Sequence, residues 1–177
     1  QLTVTGIGAT TITNGITPTA SSGTSVTQIT SDLAELIDAL AAGTNMIAPY
    51  FAMSPRLAAR LGTKRDTGGT LAFPDIGPRG GAMFGIPVVT SGAFLTDTNQ
   101  ESDIVLLDAA EVLLAEGELT VQVTTQGSLQ MDDSPSTGAQ PMTSLWQSNL
   151  VALKLQRYVN WQRRRDAAVA ILTGVAL

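Results

Sequence analysis

The chain has 177 residues, of which 44% are hydrophobic and 14% are charged, and its formal net charge is -5. That length supports one substantial core or two small ones, and the apolar content excludes a wholly disordered chain. The sequence contains no His and no Cys. Disulfides, zinc sites, cysteine nucleophiles and Ser-His-Asp arrangements are therefore excluded, and we predict no catalytic, cofactor-binding or metal-binding residues.

The ends of the sequence carry little targeting information. The longest near-continuous apolar stretch, residues 167–177, is 11 residues long, well short of the roughly 20 that a spanning helix needs. Gln1 is not an initiator Met, and no signal-peptide pattern follows it. We therefore expect the chain to be a mature or trimmed piece of a longer protein.

The first predicted helix follows a Thr/Gly/Ser-rich opening. Residues 1–24 are expected to form a loop with at most one short strand. From residue 26 to residue 40 apolar side chains recur at helical spacing, and Ser25 with Gln28 three residues later matches a capping box. Gly43 is the expected stop.

A strand, a tight break and a second helix come next. Residues 50–53 form a short apolar run before Ser54 and Pro55, which are typical of a helix cap and a first helical residue. This helix is expected to end near Gly62. Residues 62–82, dense in Gly, Pro and charge, are predicted to form a long exposed loop that carries at most a small hairpin.

The second half of the sequence is predicted to form mainly strands. Residues 108–111 are compatible with one helical turn, and residues 132–141 with a loop. Residues 149–161 alternate with a two-residue period, which favours one long strand over a helix because of their β-branched and aromatic content. The other predicted strands are 86–90, 104–107, 112–115, 119–125 and 167–172.

Charge is arranged in blocks. Residues 101–148 hold eight acids and no base, whereas residues 149–177 hold five bases and one acid. Such blocks can pair within one subunit or between neighbouring subunits. Two solvated faces of one sheet are an equally good interpretation.

Three short motifs suggest chemistry but lack its context. Asp66-Thr67-Gly68 spells the aspartic-protease triplet, yet a polar segment precedes it and no second triplet exists. The Gly-rich segment 77–81 lacks the Lys and the helix of a phosphate loop. The run 163–165 is three arginines in an acidic chain without an aromatic platform beyond Trp161, so specific DNA recognition is not expected.

Two acidic groups, Asp132-Asp133 and Glu101-Ser102-Asp103, lack the alternating ligands and glycine of a calcium loop. They are interpreted as solvated acids.

The order of these motifs resembles the C-terminal part of a tailed-phage or prophage major capsid protein. The matching residues of the family's "viMsp...L" and "l.G.Pvv.s" patterns are Met53, Ser54, Pro55, Leu61, Gly85, Pro87, Val88, Val89 and Ser91. Arg157 and Trp161 fit the family's "r...w...r" setting in a long strand. The order and spacing of the motifs carry the resemblance, since each motif is short.

The resemblance implies an α+β fold with a compact axial domain, built on a mixed sheet with flanking helices, and part of an elongated peripheral-domain sheet. The expected division is a connecting region at 1–25, an axial domain at 26–110 and 166–177, and peripheral strands at 111–165. Loop 62–82 is expected at the mobile tip of the axial domain, near the capsomer axis. The family's N-terminal arm, extended hairpin loop and spine helix have no counterpart in this sequence.

The function implied is structural: a homo-oligomer of pentamers and hexamers that forms an icosahedral shell around double-stranded DNA without sequence-specific binding. The protein would be assembled in the bacterial host cytoplasm, would reside in the virion, and would be neither an enzyme nor a membrane protein. An encapsulin-type compartment shell and a secreted Thr/Gly-rich binding module are the alternatives. Without the missing parts, we expect the chain to fold but not to close a shell, and to associate weakly through its charge blocks.

Overall fold

The computed structural model describes residues 11–94, 102–130 and 142–176. It divides the chain into two compact units. Among the described residues, the larger unit comprises those up to Leu113 and those from Gln162 onward, and the smaller unit runs from Leu114 to Trp161. The smaller unit is therefore inserted into the sequence of the larger one.

The helices and strands follow one another in a mixed order. In sequence they are β1 (Thr19–Ala20), α1 (Val26–Gly43), β2 (Pro49–Met53), α2 (Pro55–Thr63), β3 (Ile76–Gly77), β4 (Gly80–Met83), β5 (Ile86–Thr90), β6 (Ser102–Asp108), β7 (Val112–Glu116), β8 (Thr120–Thr124), β9 (Ser128–Leu129), β10 (Thr143–Ser144), β11 (Ala152–Gln156), β12 (Val159–Arg163) and β13 (Val169–Val175), with 3₁₀ turns at Ala109–Glu111 and Asp166–Ala168.

A seven-stranded mixed sheet forms the larger unit, with strand order β1-β13-β6-β2-β5-β4-β3. β2 is the central strand; β6 lies beside it and pairs antiparallel with both β13 and β2, while β2 and β5 run parallel. Most of β6 is buried, as its continuous apolar run requires of a strand covered on both faces. This observed architecture is the predicted α+β class.

The core of the larger unit forms where α1 packs on the sheet. Ile29, Leu33, Leu36 and Leu40 lie on one helix face and are at most 1% exposed, as the spacing of three to four residues predicts. They belong to one apolar cluster with Phe51 and other sheet residues. Burying each such side chain stabilises the fold by about 1.5–3 kcal/mol.

Both predicted helices are confirmed, and α1 ends at Gly43 as expected. The Ser25–Gln28 capping box is present, and the Ser54 side chain accepts the Leu57 N–H ahead of Pro55. The backbone of Gly43 is not left-handed. A Cβ there would lie 2.1 Å from the Ala167 Cβ, so glycine is required because another segment passes close by.

The segment 62–82 carries the small hairpin that the prediction allowed for, but the expectation that the segment is exposed is wrong for its second half. The hairpin is β3 and β4, residues 76–77 and 80–83, at one edge of the main sheet. Phe73, Ile76 and Met83 are buried in the core. The error arose because these strands are short and rich in glycine, so their conformation is decided by the pairing of β3 with β4 and of β4 with β5.

The smaller unit consists of two-stranded pairs. β8 pairs with β11 and β9 with β10, both antiparallel. β12 pairs with β7, and the boundary between the units falls within both strands. The predicted long strand 149–161 is two strands, β11 and β12, because Arg157 and Tyr158 interrupt the pairing, and its first residue, Asn149, lies in a turn with φ of 51°.

The remaining strand predictions agree in type, with shifted bounds. Ile86–Thr90 matches its prediction, the turn at 108–111 is the 3₁₀ turn Ala109–Glu111, and the last strand begins at Val169 after a second 3₁₀ turn. The predicted loop 132–141 and the apolar alternation at residues 2–7 lie outside the described residues. The assignment of axial and peripheral domains stays a prediction.

Candidate functional site

The Asp66-Thr67-Gly68 triplet lies in an exposed turn. The Asp66 carboxylate accepts the backbone N–H of Thr67 at 2.6 Å and the Thr67 hydroxyl at 2.9 Å. The Asp66 carbonyl also accepts the N–H of Gly69 at 2.8 Å. The carboxylate therefore stabilises a local turn, as the sequence interpretation favoured.

The Gly-rich segment 77–81 belongs to a tight hairpin in which Pro78 and Arg79 connect β3 to β4. A Cβ on Gly80 would lie 2.3 Å from the Val88 carbonyl oxygen, and one on Gly81 would lie 1.9 Å from that of Asp75. Both glycines have positive φ, at 103° and 141°. They are needed for backbone approach within the sheet, which accounts for them without a phosphate.

Metal-binding geometry is absent from the described ranges 11–94, 102–130 and 142–176: no three acidic side chains there converge on one point. The pair Asp132-Asp133 and Glu101 lie outside those ranges. In the same ranges no helix is long and apolar enough to cross a membrane.

Two acids of the predicted acidic block are buried in the larger unit. Asp108 is 1% exposed, and its carboxylate accepts the N–H groups of Ile47, Ala48 and Ala110 at 3.1, 3.0 and 3.1 Å. Three donors satisfy this charge, and they fix the turn that leads into β2. Hydrogen bonds to an ionised group are stronger than neutral ones, so Asp108 is a structural acid.

Glu111 is the second buried acid, at 7% exposed. Its Oε2 atom accepts no hydrogen bond within the described part of the chain. The Nε atoms of Arg164 and Arg165 lie 3.8 and 3.6 Å from it, and the Arg164 N–H donates to the Glu111 carbonyl at 2.8 Å. Two guanidinium groups thus compensate this carboxylate by charge rather than by direct hydrogen bonds.

The basic block makes further contacts inside the chain. Arg157 pairs with Glu116 in the smaller unit. Arg163 in the larger unit donates to Asp166 at 2.8 Å and to the Ile12 carbonyl at 2.7 Å. Pairing between the acidic and basic blocks within one subunit therefore occurs at two places, at Glu116 and at Glu111. Arg163 pairs instead with Asp166, which belongs to the basic block itself.

The most unusual surface of the smaller unit is apolar. Leu153 lies opposite Val123, and Leu155 opposite Val121, in the β8–β11 pair. These four side chains are 53–64% exposed. Strand alternation places Leu119 and Val151, at 54% and 65% exposed, on the same side. We call these six residues the apolar ribbon face.

The opposite side of the same ribbon is polar. It carries Gln122, Thr124, Lys154 and Gln156, with Ala152 and Thr120 beside them. In the described part of the smaller unit Leu145 alone is classed as buried, beside a groove of about 760 Å³ lined also by Leu129 and Gly127. An isolated two-stranded ribbon is marginally stable, so an apolar face of this size calls for a cover.

Sequence reasoning did not identify this surface. Its signal is present in the alternation of Val151, Leu153 and Leu155 and of Leu119, Val121 and Val123. Alternation of this kind normally predicts a face that packs against the chain's own core. The structure instead leaves it exposed.

The chain is similar to known proteins in sequence and, more widely, in fold. No protein-family model matches the chain. The chain is 34% identical over 177 aligned residues to the capsid polyprotein of Pseudomonas phage PAJU2. That match covers 97% of this chain and 26% of the polyprotein.

Solved structures share the fold at lower identity. A chain from Gordonia phage Cozz aligns over 100% of this chain and 54% of its own length, with a TM-score of 0.62 and 20% identity. The capsid of an empty GTA particle aligns over 91% and 50%, with a TM-score of 0.60 and 17% identity. The holo-SrpI encapsulin complex from Synechococcus elongatus PCC 7942 aligns over 93% of this chain and 56% of its own, with a TM-score of 0.54 and 17% identity.

These likenesses define a class: the chain has the α+β fold shared by capsid and encapsulin shell proteins. Within that class, its resemblance to the tailed-phage major capsid proteins is confirmed, since the capsid polyprotein of a phage matches nearly its whole length. The chain spans about a quarter of that polyprotein and about half of the solved chains.

Proposed function

We propose that this chain serves as a major capsid subunit of a phage or prophage, many copies of which assemble as pentamers and hexamers into an icosahedral shell around double-stranded DNA. The observation that carries the proposal is the 34% identity to a phage capsid polyprotein along 97% of the chain. The protein would reside in the virion after assembly in the host cytoplasm.

The surface chemistry supports a structural role. The net charge of -5 suits the wall of a container for DNA, because an acidic wall does not adhere strongly to a polyanion. The apolar ribbon face needs a protein cover, and a subunit surrounded by its own copies has one available. In this proposal the shell encloses DNA without recognising its sequence.

Electron microscopy of the purified encoded protein tests the assembly. We expect closed, uniform particles whose subunits include this chain. Asp66→Asn, a change in an exposed turn, is the matched control and should leave the particles unchanged. A protein that stays monomeric at every concentration and salt condition would refute the proposal.

An encapsulin-type shell is the second candidate, because the holo-SrpI encapsulin complex has the same fold at a TM-score of 0.54. Sequence identity favours the phage capsid, because it is 34% to the phage capsid polyprotein and 17% to the encapsulin. The particle content decides between them: nuclease-protected double-stranded DNA supports a phage capsid, whereas a packaged enzyme supports a compartment. Terminase and portal genes nearby would give the same answer as DNA.

The proposal gives the chain no catalytic role. Asp66 is held in a local turn, and the aspartic-protease reaction requires two carboxylates that share a proton. Purified protein should release no peptides from casein. Cleavage that disappears in Asp66→Asn would contradict this part of the proposal.

A further inference from the structure

The sequence contains one Asn-Gly pair, Asn14-Gly15, and the structure places it in a tight turn of the larger unit. The Ile16 N–H donates to the Thr13 carbonyl at 3.2 Å. Gly15 has φ of 78°, the value that the third residue of such a turn takes and that glycine accepts without strain. Both Asn14 and Gly15 are exposed, so this turn displays an asparagine side chain directly beside a glycine nitrogen.

The reactive groups of this pair have no other bonding partner. The Gly15 N–H donates no hydrogen bond within residues 11–94, 102–130 and 142–176, and the side-chain amide of Asn14 makes none in the same ranges. Glycine also lacks the Cβ that shields the backbone nitrogen in other residues. The Gly15 nitrogen and the side-chain carbonyl carbon of Asn14 are therefore both available to each other.

Asn149 provides a comparison inside the same chain. It too is exposed and lies in a turn. The next residue is Leu150, whose N–H donates to the Leu145 carbonyl at 2.9 Å. The nitrogen that follows Asn149 is thus both shielded by a side chain and hydrogen-bonded, whereas the nitrogen that follows Asn14 is neither.

A largely buried cation lies against the Asn14-Gly15 turn. A Cβ on Gly15 would lie 3.6 Å from the Nη2 atom of Arg163, and Arg163 Nη1 donates to the Ile12 carbonyl at 2.7 Å. The Arg163 side chain is 16% exposed and also pairs with Asp166. Solvent screens its charge only partly, so it attracts negative charge that forms in the turn.

We propose that Asn14 is a site of spontaneous deamidation and that Arg163 pairs with the carboxylate that Asn14 gains. The Gly15 nitrogen loses its proton and bonds to the side-chain carbonyl carbon of Asn14, and the side-chain amide nitrogen takes up a proton and leaves as ammonia. Water then opens the cyclic imide. Breaking the new bond gives aspartate, and breaking the original peptide bond gives isoaspartate. One water is consumed and one ammonia is released, without enzyme or cofactor.

The two products have different consequences for the fold. Aspartate adds a charge near Arg163 and leaves the backbone unchanged, whereas isoaspartate inserts one methylene into the main chain. Ile12 and Ile16, on either side of the turn, pack on the second apolar cluster of the larger unit, formed by Val105, Val169 and Ile171. A longer turn displaces one of these two isoleucines, so isoaspartate is expected to destabilise the larger unit.

Peptide mass mapping of the complete encoded protein tests the reaction. Native protein is incubated at mildly alkaline pH until a sample unfolded in urea has converted half of its Asn14, which shows that the conditions suffice. We expect native Asn14 to change from amide to acid at least about tenfold faster than Asn149, because no side chain shields the Gly15 nitrogen. Asn14→Gln, which closes such a ring far more slowly, is the control. Equal rates at Asn14 and Asn149, or native Asn14 left intact, would overturn the proposal.

Asn14→Asp supplies the product carboxylate directly and tests the role of Arg163. At low salt we expect its helical signal to melt about 1–2 °C above wild type, as for one partly exposed ion pair in a chain of this size. The gain should be absent from Asn149→Asp and should vanish in an Arg163→Gln background. No gain in the wild-type background, or a gain that survives Arg163→Gln, would refute the pairing.

Aged protein separates the effects of the two products. The fraction that unfolds first in urea should be enriched in isoaspartate at position 14, which labelling by isoaspartyl methyltransferase measures. An even distribution between the folded and unfolded fractions would contradict the displacement of Ile12 or Ile16. Each of these measurements is made on unassembled protein, so their failure leaves the proposed shell function intact.

Discussion

Similar apolar side chains are buried in the larger unit of this chain and exposed in the smaller unit. In the larger unit Leu106 and Leu172 lie on paired strands and have no exposed surface, whereas Leu153 and Leu155 of the smaller unit are each 60% exposed. The larger unit buries the apolar residues of its inner strands within one subunit. The smaller unit has a strand pattern of the same kind but no second layer, so its stability depends on what covers it.

Spectroscopy can follow the units separately. Both tryptophans, Trp146 and Trp161, lie in the smaller unit, and both helices lie in the larger one. Tryptophan fluorescence therefore reports on the smaller unit, and the helical circular dichroism signal reports on the larger. Unfolding must be followed by both, because two units need not melt as one transition.

The largest contrast is expected from truncating one leucine in each unit. Leu106→Ala should lower the free energy of unfolding by about 2–5 kcal/mol, since it opens a cavity in a closed core. Leu153→Ala in the unassembled protein should change it by only about 0.5 kcal/mol, as at other exposed positions. Chemical denaturation followed by both signals checks this. Equal losses would mean that the apolar ribbon face is already covered within one subunit.

Asp108→Asn should have the next largest effect and should be confined to the larger unit. An amide has one acceptor oxygen where the carboxylate has two, so at least one of three backbone donors loses its partner. We expect a loss of about 2–4 kcal/mol, seen first in the helical signal. Asp66→Asn is the exposed control. An unchanged midpoint for Asp108→Asn would show that water replaces the missing contacts.

Glu111→Gln should cost less. The carboxylate is compensated by two arginines that are 58% and 51% exposed in their side chains, and such pairs contribute about 0–1 kcal/mol. The difference from wild type should shrink as salt concentration rises. A loss as large as that of Asp108→Asn would indicate a more strongly desolvated pair.

The smallest expected effect is on the pH dependence of folding stability. Burial raises the pKa of Asp103 above its ordinary value, and a hydrogen bond from the Gly174 backbone opposes this. The folded state therefore holds this proton more tightly than the unfolded state, so its contribution to stability falls as pH rises from the ordinary aspartate pKa through the raised one. Asp103→Asn should melt slightly higher than wild type at neutral pH, and thermal scans at acidic pH should show the advantage disappearing.

Local signals in the sequence predicted the helices and most strands of this fold. The capping box at Ser25 and the Ser54-Pro55 pair depend on neighbouring residues alone, so sequence suffices to place them. β3 and β4 are short and rich in glycine, so the prediction allowed for a small hairpin in this segment but did not place it in the main sheet. The composition of the surface was harder to predict, because residue type does not reveal that Asp108 is buried and Leu153 is exposed. Counting charges by block thus overstated the acidic surface.

The place where the smaller unit joins the larger has an evolutionary consequence. The chain leaves the larger unit after Leu113 and returns at Gln162, through the paired strands β7 and β12. Departure and return thus occur side by side, which is the arrangement in which a segment can be exchanged while the rest of the fold keeps its connectivity. Changing the length of such an insertion costs little closure entropy, about 0.6 kcal/mol for each doubling. We therefore expect the length of this inserted segment to be changeable without loss of the seven-stranded sheet.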